Sequence, residues 1–155
     1  MICTIIVGDV IAAPRIFPQK ELPIEKILFV DDDLSILHLY EEEFSEEGYE
    51  VLVARNGKEA LVKLKEESPD IVVMDICMPE KEGIETLNAM LQIDSRFPII
   101  LNTDYLKYRD NFMTWGAEAY VLKSSDLREL KQRVREILET RKRSEIQWSK
   151  TQFVE

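Results

Sequence analysis

Short apolar runs alternate with segments of helical periodicity along most of the chain. Between the runs, apolar residues recur about every three or four positions, which is the spacing of one helix face. Strands that alternate with helices are typical of βαβ units and predict a parallel sheet with helices on its faces. The runs predicted to be strands are Lys26–Val30, Glu50–Ala54, Asp70–Asp75, Phe97–Asn102 and Ala119–Leu122.

Local signals predict where the helices begin and end. Gly48 is the predicted stop of the first helix, because glycine accepts the left-handed backbone that ends many helices. The second helix begins at Asn56, and Glu59 stands where a capping box has its acidic residue. A third helix is predicted from about Ile84 to Leu91, and a short aromatic-rich fourth helix follows the fourth strand.

The last predicted helix begins at Ser124 or Ser125. The basic run Arg141–Arg143 is interpreted as its solvated end, where positive charge complements the helix dipole. Apolar residues at helical spacing predict that one face of this helix packs on the sheet. That face contains Leu127, Leu130, Val134, Ile137 and Leu138.

The predicted sheet and helices occupy residues 25–143, which is the size of one domain. Residues 1–24 form an N-terminal extension whose prolines restrict any regular element to short segments. Several interpretations of this extension stay open: a loosely held arm, an over-extended gene start, an extra edge strand over Thr4–Ile11, and an arm that contacts a second copy in a dimer. Residues 144–155 are a polar C-terminal tail. The sequence thus predicts one domain with two flanking segments.

The composition of the chain limits the kinds of molecule that we expect the protein to bind. Of the 155 residues, 45% are hydrophobic and 32% are charged, and the net charge is −10. An acidic surface repels nucleic acid phosphates, which argues against direct nucleic acid binding and favours proteins or cations. No apolar run is long enough for a membrane helix. Cys3 and Cys77 form no paired framework, so we expect a reducing, cytoplasmic setting.

Acidic, hydroxyl and ammonium groups follow the ends of the predicted strands. Asp31 and Asp32 follow the first strand, Asp75 ends the third, Thr103 follows the fourth, and Lys123 follows the fifth. In an open parallel sheet, ligands bind beyond the carboxyl ends of the strands. We therefore expect these side chains to converge on one rim of the sheet.

Such a rim has a definite chemistry. Several carboxylates close together repel one another and need a cation, and oxygen ligands without histidine or thiolate favour Mg²⁺ or Mn²⁺. Asp75 is then the candidate nucleophile for a phosphoryl group. Lys123 supplies a fixed positive charge and Thr103 a hydroxyl donor to the phosphoryl oxygens. Asp33 is interpreted differently, as the N-cap of the first helix.

These residues lie in motifs that resemble, in order and spacing, the receiver domain of bacterial two-component response regulators. The resemblance covers about residues 25–143. It implies an α/β fold with a doubly wound, flavodoxin-like parallel sheet of five strands in the order 2-1-3-4-5. The motifs are Val30-Asp31-Asp32, Met74-Asp75, Met78-Pro79 with Gly83, Leu101-Asn102-Thr103, and Ala119-Tyr120-Val121-Leu122-Lys123.

The resemblance also implies roles for single residues in metal binding. Asp32 resembles the direct metal ligand and Asp31 a ligand that acts through water, beside the phosphorylation site Asp75. The backbone carbonyl of Cys77 is the implied third protein contact. The implied cofactor is Mg²⁺, and the implied donor is a phosphohistidine on a histidine kinase or a histidine phosphotransfer protein.

Two further residues resemble the family's switch. Thr103 stands at the position of the hydroxyl that moves toward the phosphoryl group. Tyr120 stands at the position of the aromatic residue whose rotamer follows that movement. The implied output surface is the face formed by the fourth helix, the fifth strand and the fifth helix.

The sequence departs from the family pattern near the site. Asp104 replaces the small residue that usually follows the switch hydroxyl, and its charge is expected to hinder a phosphate donor. Ser124 stands where proline is common. Cys77 and Tyr105 lie two residues beyond Asp75 and Thr103. The resemblance implies that these positions, with Asp104, tune the lifetime of the phosphorylated state.

The functional hypothesis is a stand-alone response regulator in a phosphorelay, a signalling protein rather than an enzyme. It signals by altered contacts with a downstream protein, and a homodimer is a second use of the output face. Two alternatives stay open, a receiver that no longer phosphorylates and serves as a docking module, and a haloacid-dehalogenase-type phosphatase with Asp31-x-Asp33. The predicted fourth-helix region carries a candidate contact patch of Tyr105, Tyr108, Phe112, Met113 and Trp115.

Overall fold

The computed structural model describes residues 23–79, 82–105 and 116–152. The predicted edge strand over Thr4–Ile11 lies outside the described residues. So do most of the aromatic patch and the predicted fourth helix, which fall on residues 106–115.

The strands form one parallel sheet in the predicted order. They are β1 (Lys26–Val30), β2 (Glu50–Ala54), β3 (Ile71–Met74), β4 (Ile99–Thr103) and β5 (Ala119–Leu122). Neighbouring strands pair in parallel, and the order is β2-β1-β3-β4-β5. The predicted fold class is therefore confirmed. Every residue of the central strand β3 is buried, which explains why its sequence is apolar at successive positions.

The described helices cover both faces of the sheet. They are α1 (Leu34–Glu46), α2 (Gly57–Glu67), α3 (Glu82–Ile93) and α4 (Arg128–Gln152). Buried residues of α1 and α4 pack on one face, and those of α2 and α3 pack on the other. This is the doubly wound arrangement. No described helix has both the length and the apolar character needed to cross a membrane.

The predicted caps position the helices against the strands. The Asp33 side chain accepts a hydrogen bond from the Ser35 N–H at 2.8 Å and caps α1. Gly48 follows the end of α1 with φ +93°, as its interpretation as a stop requires. Asn56 caps α2 by accepting a bond from the Glu59 N–H at 2.8 Å.

Two predictions about the last helix are wrong. It begins at Arg128 rather than at Ser124 or Ser125. The Ser124 hydroxyl accepts a bond from the Asp126 N–H, and the Asp126 carboxylate accepts one from the Arg128 N–H, so the chain makes tight polar turns before the helix. The predicted apolar face of α4 is nevertheless buried, with Leu127 just before the helix.

The basic run Arg141–Arg143 is not a helix end, because α4 continues to Gln152. The Arg141 guanidinium donates to the Arg96 carbonyl at 3.0 Å, and Lys142 pairs with Glu25 at 3.0 Å. These side chains therefore tie α4 to the amino end of the sheet rather than complementing a helix dipole.

Candidate functional site

The carboxyl end of the sheet brings the predicted acidic and basic residues together. Asp31 follows β1, Asp75 follows β3 and Lys123 follows β5. The Lys123 ammonium lies 2.6 Å from Asp31 Oδ2 and 2.7 Å from Asp75 Oδ2. One ammonium thus bridges two carboxylates that lie on different strands.

A third carboxylate completes the acidic cluster. One carboxylate oxygen from each of Asp31, Asp32 and Asp75 lies within 4.8 Å of the others. Asp31 and Asp75 are 3% and 5% exposed, whereas Asp32 is exposed to solvent. The cluster therefore has two buried members held by a lysine and one member that is open to water. Asp33 is not among the clustered residues.

Backbone groups orient the two buried carboxylates. Asp31 Oδ1 accepts a hydrogen bond from the Asp33 N–H at 2.9 Å. Asp75 Oδ1 accepts one from the Cys77 N–H at 2.8 Å. Each carboxylate therefore uses one oxygen for the chain and the other for Lys123, which fixes its direction.

Gly83 allows α3 to approach the loop that carries Asp75. A Cβ atom at this position would lie 2.5 Å from the backbone of Ile76, which is closer than side chains tolerate. Glycine at position 83 is thus required by packing beside the site, and this accounts for its place in the sequence motif.

Burial and ion pairing act in opposite directions on these groups. Burial raises the pKa of Asp31, although the hydrogen bond from Lys123 partly offsets this effect. For Lys123, burial favours the neutral amine, but hydrogen bonds to Asp31 and Asp75 outweigh it and raise the pKa above the ordinary range. The ammonium therefore stays charged near neutral pH.

The hydroxyl of Thr103 is fully buried at the end of β4. It donates a hydrogen bond to Cys77 Sγ at 3.4 Å rather than contacting the acidic cluster directly. The Tyr120 hydroxyl donates to the backbone carbonyl of Tyr105. These contacts link β4 and β5 to the loops around the site.

A shallow cleft of about 330 Å³ opens beside Lys123. Asp104, an exposed residue, lines it together with Ser124 and Ser125, and α1 contributes Ile36, Leu39 and Tyr40. The structure thus places Asp104 and Ser124, the two sequence departures, at one opening next to the ammonium.

Sequence reasoning missed the polar contact beneath this cleft. The Tyr40 hydroxyl donates to Asn102 Oδ1 at 2.5 Å, and both residues are buried. In the sequence, Tyr40 lies between Leu37 and Phe44 at helical spacing, a pattern that predicts a core position and gives its hydroxyl no role. The available signal was Asn102 itself, an amide at the end of an otherwise apolar strand.

Comparison with known proteins agrees with this geometry. The family described as the response regulator receiver domain matches residues 27–135. The chain belongs to this receiver family. The curated relatives that it resembles include the alkaline phosphatase synthesis transcriptional regulatory protein PhoP of Bacillus subtilis, at 38% identity over 124 residues. That match covers 79% of this chain and 50% of PhoP, so the chain spans about half the length of this relative.

Solved structures of receiver domains and response regulators are similar to about three quarters of this chain. The response regulator TrrA of Thermotoga maritima, in complex with Mg²⁺ and BeF, is 41% identical with a TM-score of 0.68. The match covers 73% of this receiver and 98% of TrrA. TrrA has also been solved in complex with the histidine kinase ThkA. Relatives of this receiver are therefore signalling proteins.

The acidic cluster has the donor set that Mg²⁺ prefers. Its ligand atoms are carboxylate oxygens, and Asp32 is accessible from solvent. Receiver domains bind Mg²⁺ at an acidic pocket of this kind, and the similar TrrA structure contains the ion with BeF. The residues present in this chain fit the metal.

Proposed function

We propose that this receiver accepts a phosphoryl group on Asp75 in a Mg²⁺-dependent reaction. The observation that carries the proposal is the position of Asp75. Its carboxylate lies 2.7 Å from the Lys123 ammonium and within 4.8 Å of the Asp31 and Asp32 carboxylates. A nucleophile, a fixed cation and a set of hard metal ligands therefore meet at one point.

The donor in this proposal is a phosphohistidine on a histidine kinase or a histidine phosphotransfer protein. A carboxylate oxygen of Asp75 attacks phosphorus, the P–N bond of the donor breaks, and its electron pair returns to the imidazole. The product is an acyl phosphate on Asp75. Attack of water on phosphorus later releases inorganic phosphate and restores the carboxylate.

The residues around Asp75 stabilise the negative charge of the phosphoryl group during its transfer. Lys123 supplies positive charge to the phosphoryl oxygens, and the Asp33 and Cys77 N–H groups keep the carboxylates directed. Asp31, Asp32, Asp75 and the Cys77 carbonyl would hold a Mg²⁺ or Mn²⁺ ion, whose charge offsets that of the incoming group. The polypeptide contributes position and electrostatics, not further covalent chemistry.

In this proposal, phosphorylation changes the surface of the protein because it places a new hydrogen-bond acceptor near the end of β4. A phosphoryl oxygen on Asp75 attracts the Thr103 hydroxyl away from Cys77 Sγ. Tyr120 then repacks, because its hydroxyl donates to the carbonyl of Tyr105, which lies two residues after Thr103 and moves with it. The altered surface on β5 and α4 contacts a downstream protein or a second copy. Action as a stand-alone, cytoplasmic protein stays a prediction.

Labelling by a small acyl phosphate tests the proposal. With Mg²⁺, the native chain should form an acid-stable, alkali-labile adduct, and Asp75→Asn should lose it. Asp70→Asn is the matched control, because Asp70 precedes the same strand at its other end and accepts a bond from the Lys26 N–H. Equal labelling of the native chain and Asp75→Asn would refute the assignment of the acceptor.

A docking module that is not phosphorylated is the second candidate. The exposed Asp104 in the cleft beside Lys123 favours it, because a carboxylate there repels a phosphate donor. Absence of labelling in the native chain, combined with labelling of Asp104→Asn, would select this candidate. The phosphatase alternative loses its support, because Asp33 caps α1 and the chain belongs to the receiver family.

A further inference from the structure

A buried pair of polar side chains joins α1 to the strands that lead to Thr103 and Lys123. The Tyr40 hydroxyl donates to Asn102 Oδ1 at 2.5 Å, and Asn102 Nδ2 donates to the Val121 carbonyl at 3.2 Å. Tyr40 and Asn102 are 4% and 3% exposed. This short chain of hydrogen bonds connects α1 to β4 and β5 inside an otherwise apolar cluster.

Stability alone does not account for this pair. The other buried positions of α1 are Leu37 and Phe44, and the same cluster is filled by apolar side chains. Polar groups cost free energy when they are buried, and hydrogen bonds repay that cost only when each partner is present. Burial also raises the pKa of Tyr40 to about 12, so its phenol remains a donor.

The pair is linked to two residues of the candidate site through the ends of β4 and β5. Asn102 precedes Thr103 in β4, and its amide holds β5 at Val121, two residues before Lys123. In the sheet, Asn102 is the register partner of Val121. Tyr40 and Lys123 also line the same cleft. Movement of Asn102 would therefore displace both the hydroxyl and the ammonium.

We propose that Tyr40 and Asn102 are positioning residues, which fix the ends of β4 and β5 so that Thr103 and Lys123 meet a phosphoryl group on Asp75 in the correct geometry. This inference rests on the proposed phosphorylation of Asp75. Neither residue touches the phosphoryl group. They act by holding the ends of β4 and β5 in place, just as residues that hydrogen-bond to the metal ligands of a metalloprotein orient those ligands.

The test separates the positioning role from the contribution to stability. Tyr40→Phe leaves Asn102 Oδ1 buried without its donor, whereas Tyr40→Phe combined with Asn102→Leu removes that unpaired oxygen together with the bond to the Val121 carbonyl. Phe44→Leu is the matched control, because Phe44 is buried one turn further along the same face of α1. For each variant, calorimetry would give the affinity for beryllofluoride in saturating Mg²⁺, and urea unfolding would give the midpoint.

We expect Tyr40→Phe to weaken beryllofluoride binding about tenfold, in the range seen for supporting residues. The double variant should regain urea stability and still bind about tenfold more weakly than the native chain. Phe44→Leu should lower the midpoint and leave the affinity within about twofold, because it removes packing far from the strand ends. A persistent loss of affinity at restored stability is the signature of positioning.

Recovery of both stability and affinity in the double variant would overturn the inference. If the double variant does not fold, Tyr40→Phe and Phe44→Leu decide, and equal affinities in these two would overturn it. A native chain that does not bind beryllofluoride would instead refute the proposed phosphorylation, and the positioning role with it.

Discussion

The two ends of the sheet use the same kinds of charged residue in different ways. At the carboxyl end, Lys123 faces Asp31 and Asp75, and the three side chains are 9%, 4% and 6% exposed. At the amino end, Lys26 faces Glu50 at 3.3 Å, and their side chains are 32% and 45% exposed. The group at the carboxyl end is buried and has two carboxylates for one ammonium, whereas the pair at the amino end has one of each and is exposed to solvent.

This difference separates a functional site from a surface ion pair. An exposed pair contributes about 0–1 kcal/mol, because water already solvates both partners. Buried carboxylates that outnumber their cation cost free energy, because repulsion and desolvation act together. We therefore interpret the excess negative charge at this edge of the sheet as a functional feature, which is retained although it costs stability. Removal of a charged side chain should therefore have a larger effect at the carboxyl end of the sheet than at the amino end.

The largest expected effect is the loss of the buried ammonium. Lys123→Met should lower the free energy of unfolding by about 3 kcal/mol in the absence of divalent ions, because two buried carboxylates lose their partner. Lys26→Met, at the amino end, should cost less than about 1 kcal/mol. Urea unfolding of both variants measures the contrast. Similar losses in the two variants would remove the distinction between the two ends.

A smaller effect is expected from the carboxylate at the cleft. Asp104→Asn should raise the rate of labelling by a small acyl phosphate about fivefold at low ionic strength, because it removes repulsion of the order of 1 kcal/mol. Added salt should shrink the gain. Glu118→Gln, an exposed carboxylate before β5 at the amino end, is the control and should change nothing. An equal gain in the control would mean that only net charge matters.

The smallest expected effect concerns the present partner of the switch hydroxyl. Cys77→Ala should strengthen beryllofluoride binding about twofold, because the weak bond from Thr103 to sulfur no longer competes. Cys77→Ser offers a better acceptor and should weaken binding. In a Thr103→Ala background, Cys77→Ala should have no effect on affinity. A persistent effect there would show that Cys77 acts by some other route.

Much of the fold follows from periodicity and a few local signals. Continuous apolar runs such as β3 predict a parallel strand buried on both faces, and Asp33, Gly48 and Asn56 mark the ends of helices. The convergence of Asp31, Asp75 and Lys123 follows from topology alone, because the carboxyl ends of parallel strands share one edge. Pattern and topology therefore place the candidate site.

The remaining features depend on contacts that no local pattern encodes. The start of α4 was misplaced because Ser124 and Asp126 resemble caps but form successive turns. The basic run was misread because its partners, Arg96 and Glu25, are distant in sequence. Tyr40 has the periodicity of a core residue, and only its three-dimensional neighbour Asn102 gives its hydroxyl a role.

Titration with Mg²⁺ tests most directly whether the carboxyl end is built to hold a cation. Calorimetry should show one saturable site per native chain, with Asp32→Asn weakening it about tenfold and Asp70→Asn leaving it unchanged. Asp32 is the informative position, because it is exposed and the bridge from Lys123 to Asp31 and Asp75 stays intact without it. Absence of saturable binding, or equal affinity in Asp32→Asn, would contradict the account.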